Sequence, residues 1–564
     1  MKRISPFLLL ALLASAASCE KKFEKYPEER TFETDVFDST DKAGTLSTAY
    51  LLGIYSFLPG GFNRIDGDFL DAATDDAVPS SLASSVKLLT NGQLTATNYP
   101  DNNWANSYTI IRRSNVFLNN IGRVPVPDDI KKRQVAEARF LRAFAYFELV
   151  KRYGGVPLVG DTVFQLEDNL DIARNTFEEC VDYIVTECDA VKSDLPKGVN
   201  VASGEFGRIP AEAPMALKLR TLLYAASPLF NGGGTETDPQ RKALTGYLSA
   251  DPLRWQEVIT AAEQLMAMGY YKLPSGTGTT AYASVFTTKI NTDIILSKQS
   301  ANSTSLEASN APVGFVAPAA SNGRTSPTQE FLNAFPNLNG TAFTGATNTA
   351  AQYENRDPRL KATVFYNGAQ WLSRGVQTFE GGLDKPNIPF KTQTRTAYYL
   401  RKFLGDFSAS ATYSNTSHNF PYFRFSEVLL TYAEALNERG RTEDAVKQIT
   451  PLRARAGITA GTGSRYGIRT GITQAELRDL IRNERRIELA FEEHRFWDLR
   501  RWKLGATALS GPVNGLSITS NAGNLIYQAK PVDTLVFQPK YYHMPLPYSE
   551  ITKNKKLIQN EGYF

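Results

Sequence analysis

From Leu477 to Lys503 the chain reads LRDLIRNERRIELAFEEHRFWDLRRWK, and one residue in it, Glu484, limits what the whole can fold into. The segment has neither Gly nor Pro and is built from good helix formers, so it reads as helix throughout. Leu477, Leu480, Ile481, Ile487 and Phe491 recur at helical spacing as a buried stripe, and Glu484 falls inside that stripe. Glu484, Glu488 and Glu492 also stack at successive i,i+4 positions, a repulsive row costing ~0.2–0.5 kcal/mol per neighbouring pair. Arg485 and Arg495 reach Glu488 and Glu492 at i,i+3, whereas the inward Glu484 needs a cation from another helix. Arg453 and Arg455, in the block LRARAG, are the candidates. An unpaired buried carboxylate is too costly to keep, so a packed ionic network is favoured over a catalytic carboxylate.

The rest of the chain supplies partner helices. Helical patterns run from about 41 to 58 and 104 to 121, from 128 to 153 and 176 to 195, then 211 to 230 and 255 to 268. After an interruption come 425 to 439 with 442 to 456, and 473 to 490 with 491 to 503. Small and aromatic residues alternate as in tetratricopeptide pairs: Ala136, Ala143 and Ala145 with Phe140, Phe144, Tyr146 and Phe147; later Tyr432, Ala433, Ala435 and Ala445. Helix pairs that cannot bury a face alone stack on one another. The expected fold is therefore mostly α, a tetratricopeptide-like right-handed superhelix with a long loop-rich insertion and an irregular C-terminal segment of short strands. The expected divisions are residues 1–18, a signal segment; 19–272, N-terminal repeats; 273–421, the Thr/Ser/Asn/Gly/Pro-rich region; and 422–564, the last repeats and closing segment.

Lys2 and Arg3 precede an apolar run from Phe7 to Leu13, then small residues, then Cys19. That is a secretory signal, too short for a permanent span of ~20 residues. Ala16-Ala17-Ser18-Cys19 resembles a bacterial lipoprotein lipobox, which implies lipidation of Cys19, cleavage before it and a stable multi-chain anchor. Cys180 and Cys188 share one helix, ~12 Å apart along its axis, and are expected as buried free thiols.

Net charge is +4, too small for a global nucleic-acid field, and no basic run with interleaved aromatics occurs. The three histidines (His418, His494 and His543) form no HExxH motif and no regularly spaced Cys/His set, so no metal or cofactor is expected. GTGTTA at 276–281 lacks the hydrophobic strand a dinucleotide site needs. The rival enzyme reading is a helical glycoside hydrolase using two carboxylates, with Asp68, Asp71, Asp75 and Asp76 as the stock to draw on.

Several blocks in order resemble the SusD/RagB family of outer-membrane nutrient-binding lipoproteins of Bacteroidota: WANSYTIIRRSNVFL, AEARFLRAFAYFELVKRYGGVPLV, GRIPAEAPMALKLRTLLYAASPLFNGG, NRDPRL, AYYLRKF, FRFSEVLLTYAEALNERG, LRARAG, the Glu484 block and MPLPYSEITKNKKLIQNEGYF. The resemblance implies a non-catalytic protein, lipid-anchored on the outer membrane and facing the exterior. It would bind oligosaccharides, or in some branches peptides, and act as the lid of a SusC-like TonB-dependent barrel. Sugars need aromatic platforms flanked by carboxamides, carboxylates or Arg. Trp371 in FYNGAQWLSRG is the expected platform, supplemented by Tyr353 and Tyr366. Asp71, Asp75, Asn98, Asn103, Trp104 and Arg324 are the expected polar and flanking contacts.

Overall fold

A computed structural model describes residues 33–389, 391–407 and 410–563; the signal segment and Cys19 lie outside them. The helical half is a succession of antiparallel neighbours: α1 (Thr45–Ser56), α2 (Trp104–Asn120), α3 (Asp128–Tyr153), α4 (Phe177–Val191), α5 (Glu212–Ala226) and α6 (Arg254–Met266). Each packs on the next. After α7 (Gly278–Thr287) the series resumes with α8 (Phe425–Glu438), α9 (Thr442–Ala456), α10 (Gln474–Glu488) and α11 (Arg495–Arg501). α8 closes the stack by packing on α6, α9 and α10. Capping boxes start α4 at Thr176/Glu179 and α10 at Thr473/Glu476, each satisfying two orphan backbone donors. Pro214 is accommodated near the N-terminal end of α5, where its missing N–H costs little. Cys180 and Cys188 are buried free thiols, and burial raises both.

α3 is buried almost all round from Ala136 onward, so its charged residues need partners inside the protein. Glu148 holds Lys151 at 2.6 Å and Arg152 at 2.7 Å, and Arg152 reaches Asp101 at 2.9 Å.

The Leu477–Lys503 stretch, helix-forming throughout by composition, divides close to the expected boundary between 473–490 and 491–503. α10 ends at Glu488 and the chain turns before α11, with positive φ at Phe491 and Glu493. No Gly or Pro marks the break, because tertiary bonds impose it: Phe491 N–H donates to Asp71 at 3.0 Å, and Lys402 donates to the Ala490 carbonyl at 2.7 Å. Residues 273–421 are loop-rich, as expected, and ordered. They carry α7, several one-turn helices and short strand pairs around a second apolar core that includes Tyr282, Phe331, Trp371, Tyr398 and Phe491. The C-terminal segment is not built of short strands only, since β5 (Gly511–Asn521) and β6 (Asn524–Leu535) form one long antiparallel hairpin.

Two further ribbons position residues discussed below. β1 (Ala77–Pro79) pairs with β3 (Thr325–Pro327). β2 (Ile294–Lys298) pairs with β4 (Phe420–Arg424) so that Lys298 lies opposite Phe420 and Ile294 opposite Arg424. The β2–β4 ribbon thus runs from a surface recess at Lys298 to a buried ion cluster at Arg424.

Candidate functional site

The ion cluster comes first because it disposes of most carboxylates. Glu484 meets Arg453 at 2.9 Å and Arg359 at 2.7 Å. Glu488 meets Arg359 at 2.9 Å, Arg424 at 2.7 Å and Arg455 at 2.5 Å. The turn after α10 swings Glu492 onto Arg424 and Lys402, both at 2.7 Å. Asp357 and Asp293 complete the set against Arg359 and Arg424. Burial alone would raise the Glu484 carboxyl, but Arg359 and Arg453 outweigh it and hold it below its ordinary value. Glu488 is held well below by Arg455, Arg424 and Arg359 against the same penalty. Burial lowers Lys402 to about 8 despite Glu492. The intrahelical partners expected for Glu488 and Glu492 do not form: Arg485 turns to Asp498 at 3.1 Å and Arg495 to Asp75 at 2.8 Å.

The expected ligand platforms are not surfaces. Trp371 is 2% exposed, its indole N–H donates to the Gly405 carbonyl at 3.0 Å, and Phe315 and Tyr413 pack on its ring. Tyr353 and Tyr366 stack on each other at 4.1 Å inside the same core. Trp104 is buried between Tyr108 and Tyr153. Gly and polar neighbours suggested exposure for Trp371; in the fold they form a short hairpin whose Trp ring is enclosed by Phe315, Phe365 and Tyr413. Among the described residues Tyr548 is the one exposed aromatic residue, at 57%.

The acidic candidates are also withdrawn from the surface. Asp75 is clamped by Arg495 at 2.8 Å and Arg486 at 3.1 Å, which hold it down to about 2 against the burial that would raise it. Asp71 lies under the turn after α10; burial, then the nearby Asp76 charge, push it up to about 8. Burial likewise raises Asp68 to about 7. Asn98 is a turn residue, accepting from Thr95 N–H at 2.7 Å and donating to the Gln93 carbonyl at 3.0 Å. Arg324 is half-buried beside Gly67.

Asn103 alone of these candidates lines an open polar recess. About 380 Å³ in volume, it is bounded by Ser56–Gly60, Arg64, Pro100–Asn103, Asn106 and Lys298. The C-terminal end of α1 and the N-terminal end of α2 meet here. Asn106 ties them, donating to the Phe57 carbonyl at 2.8 Å and to Asn103 Oδ1 at 3.2 Å. Tyr422 O–H holds the Pro59 carbonyl at 2.6 Å. A Cβ at Gly61 would sit 2.0 Å from the Phe420 ring, so only glycine lets this turn close over β4. Phe57 presents a half-buried ring, covered on one side by Arg113 at 4.7 Å. Arg64 is fixed by Glu493 and by Asp101 at 2.5 Å. Amides, cations and one partly open ring suit hydroxyl-rich ligands. Asp101 is the one carboxylate on the lining, whereas glycoside hydrolysis requires two. Among the described residues no cluster of three or more His, Cys, Asp or Glu could hold a metal ion.

Arg64, Asn102, Asn106 and Lys298 escaped the sequence reading. Asn102 precedes Asn103 in the polar segment before α2 and Asn106 lies in the first turn of that helix, a signal within reach. Lys298 ends a buried strand and Arg64 follows a Gly-Gly turn, and neither context announces a site.

A family model described as "SusD family" matches residues 292–563, and one described as "Starch-binding associating with outer membrane" matches 39–213. SusD-like protein P38 of Formosa agariphila is 24% identical, covering 99% of this chain and 98% of the relative. Starch-binding protein SusD of Bacteroides thetaiotaomicron is 32% identical over 27% of this chain and 23% of its own length. A solved SusD-like protein from Bacteroides fragilis superposes with a TM-score of 0.78 at 28% identity, covering 93% of this chain and 98% of that one. A structure titled as a laminarin-binding SusD-like protein shares the fold at a TM-score of 0.62 and 22% identity, covering 92% and 99%.

Proposed function

The chain belongs to the SusD/RagB family, and on that premise we propose that it is an outer-membrane-associated lipoprotein that binds glycans and passes them to a SusC-like TonB-dependent barrel, acting as its extracellular lid. It is a binding protein and not an enzyme. The observation that carries the reading is the pair of family matches, one described as starch-binding and outer-membrane-associated, over the elements that build the recess. Cys19 supplies the lipid anchor on the outer face. No helix among the described residues is long and apolar enough to cross a membrane.

The recess formed by Phe57, Arg64, Asn102, Asn103, Asn106 and Lys298 takes the sugar. It offers amide and ammonium donors for hydroxyls and a ring for a C–H face. Co-purification of the tagged protein from detergent-solubilised outer membrane tests the partnership: a barrel-sized partner is expected, and a tethered protein without one contradicts it. Retardation in glycan-containing native gels tests the ligand.

A second reading, peptide binding, is favoured by one feature. Beyond Trp104 a groove of about 940 Å³ runs between α2, residues 157–172 and Glu550–Leu557, with Leu166 and Leu170 exposed on its edge. Its largely apolar lining suits peptide side chains better than hydroxyls. Competition between an unlabelled glycan and a labelled peptide pool separates the two.

A further inference from the structure

The recess is unbalanced in its hydrogen-bonding groups. Lys298 Nζ donates to the carbonyls of Leu58 and of Ser56, the latter at 3.3 Å, at the C-terminal end of α1. No carboxylate among the described residues is paired with it, so its charge is met by helix-end dipoles alone. Arg64 spends Nε and Nη1 on Glu493 and Asp101, while its buried Nη2 has no partner. Asp101 is itself shared with Arg152 at 2.9 Å, so it offers little acceptor capacity to a ligand. Asn102 is exposed. Its Oδ1 accepts from Trp104 N–H at 3.1 Å and Tyr153 O–H at 3.2 Å, which leaves its NH₂ group turned outward. The 17-residue helix α2 has no N-cap bond to Asn103 and no acidic residue in its first turn, where Asn102 takes up the Trp104 N–H alone. Its free amides and positive helix end therefore add to the same surface.

Donors and positive charge thus gather around the recess while the acceptors named are already engaged. A neutral hydroxyl both donates and accepts; a carboxylate or sulfate only accepts, and suits such a surface better. We infer that the recess of Lys298, Arg64, Asn102 and the α2 N-terminus binds an acidic glycan, one carrying uronate carboxylates or sulfate esters. The inference rests on reading the recess as the glycan site.

Affinity electrophoresis tests it with polygalacturonate (carboxylate), a sulfated galactan (sulfate), and laminarin and starch (neutral), each at low and high salt. Stronger retention by one or both acidic glycans than by the neutral ones, weakened at high salt, is expected. Asn102→Asp keeps both accepted hydrogen bonds, removes the outward donor and adds a negative charge, and should weaken acidic retention about tenfold. Lys298→Gln should do the same and Lys298→Arg should restore it. Lys132→Gln, an equal charge change on an exposed stretch of α3, should leave retention as it was. Retention by laminarin or starch alone overturns the acidic assignment and leaves the glycan reading standing. Acidic retention that ignores Asn102→Asp and Lys298→Gln, or falls equally with Lys132→Gln, overturns the assignment to this recess. Retention by none of the four overturns the inference and the glycan reading beneath it.

Discussion

Arg453 Nε lies 2.9 Å from Glu484 Oε2, joining α9 to α10 inside the protein. Around that contact Arg359, Arg424, Arg455 and Lys402 face Asp293, Asp357, Glu488 and Glu492, so five cations meet five carboxylates. The cluster ties five segments of the chain (Asp293, Asp357–Arg359, Lys402, Arg424 and α9–α11) without opening on solvent.

Removing one member leaves the other charged and unsolvated. Glu484→Ala should cost about 3–5 kcal/mol of stability. Arg453→Met alone should cost a similar amount, and the pair of substitutions together less than their sum. Urea unfolding of the three variants checks this; additive losses would mean that the two side chains do not act as a unit.

Trp371→Ala should lower stability by about 3–5 kcal/mol, as expected for emptying a packed aromatic site. Glycan retention below the lowered melting temperature should stay at the level of the parent. An unchanged melting temperature with lost retention would instead make Trp371 a ligand platform.

Asp71 is raised to about 8, above its unfolded value near 3.8. The folded state therefore holds this proton more tightly than the unfolded one, so the stability contribution is greatest at low pH and is lost as pH rises from about 4 to 8. Asn at this position keeps an acceptor for Phe491 N–H and never ionises. Asp71→Asn should match the parent near pH 4 and exceed it by at least ~1 kcal/mol at pH 8. Thermal unfolding across that range checks the sign, and an Asn variant less stable at pH 8 contradicts it.

Asp75 behaves oppositely. Arg486 and Arg495 hold it at about 2, so its contribution is present above pH 4 and lost as pH falls toward 2. Asp75→Asn should cost about 1–3 kcal/mol near neutrality, leaving the half-buried Arg495 without its carboxylate and Arg486 with Asp76 alone, and should flatten the acid limb of the stability curve.

The cross-helix pairing of Glu484 was legible because a carboxylate in an apolar stripe has few physical remedies, and LRARAG supplied cations on the helix before it. The division of 473–503 into a helix pair was legible too, but the left-handed turn at 489–494 was not, since no residue there breaks helices. Bonds from Asp71 and Lys402, more than 70 residues away in sequence, decide it. Trp371 illustrates the converse failure. Loop-like composition was read as exposure, yet 273–421 contributes to a core of its own that takes the ring in. Asp71 and Asp75 sat in a cluster that looked solvated, but the Arg side chains that claim Asp75 come from the other end of the chain. Of the recess, the polar run before α2 was visible as Asn98 and Asn103. Lys298 and Arg64 arrive by strand register and turn geometry, which no local pattern encodes.

Hydrogen exchange with and without a retained oligosaccharide tests the central claim most directly, because it locates the ligand without altering the protein. Binding in the recess should slow exchange at residues 56–64 and 100–106 and leave 364–376 unchanged. Protection confined to 157–172, or to the segment around Trp371, would contradict it.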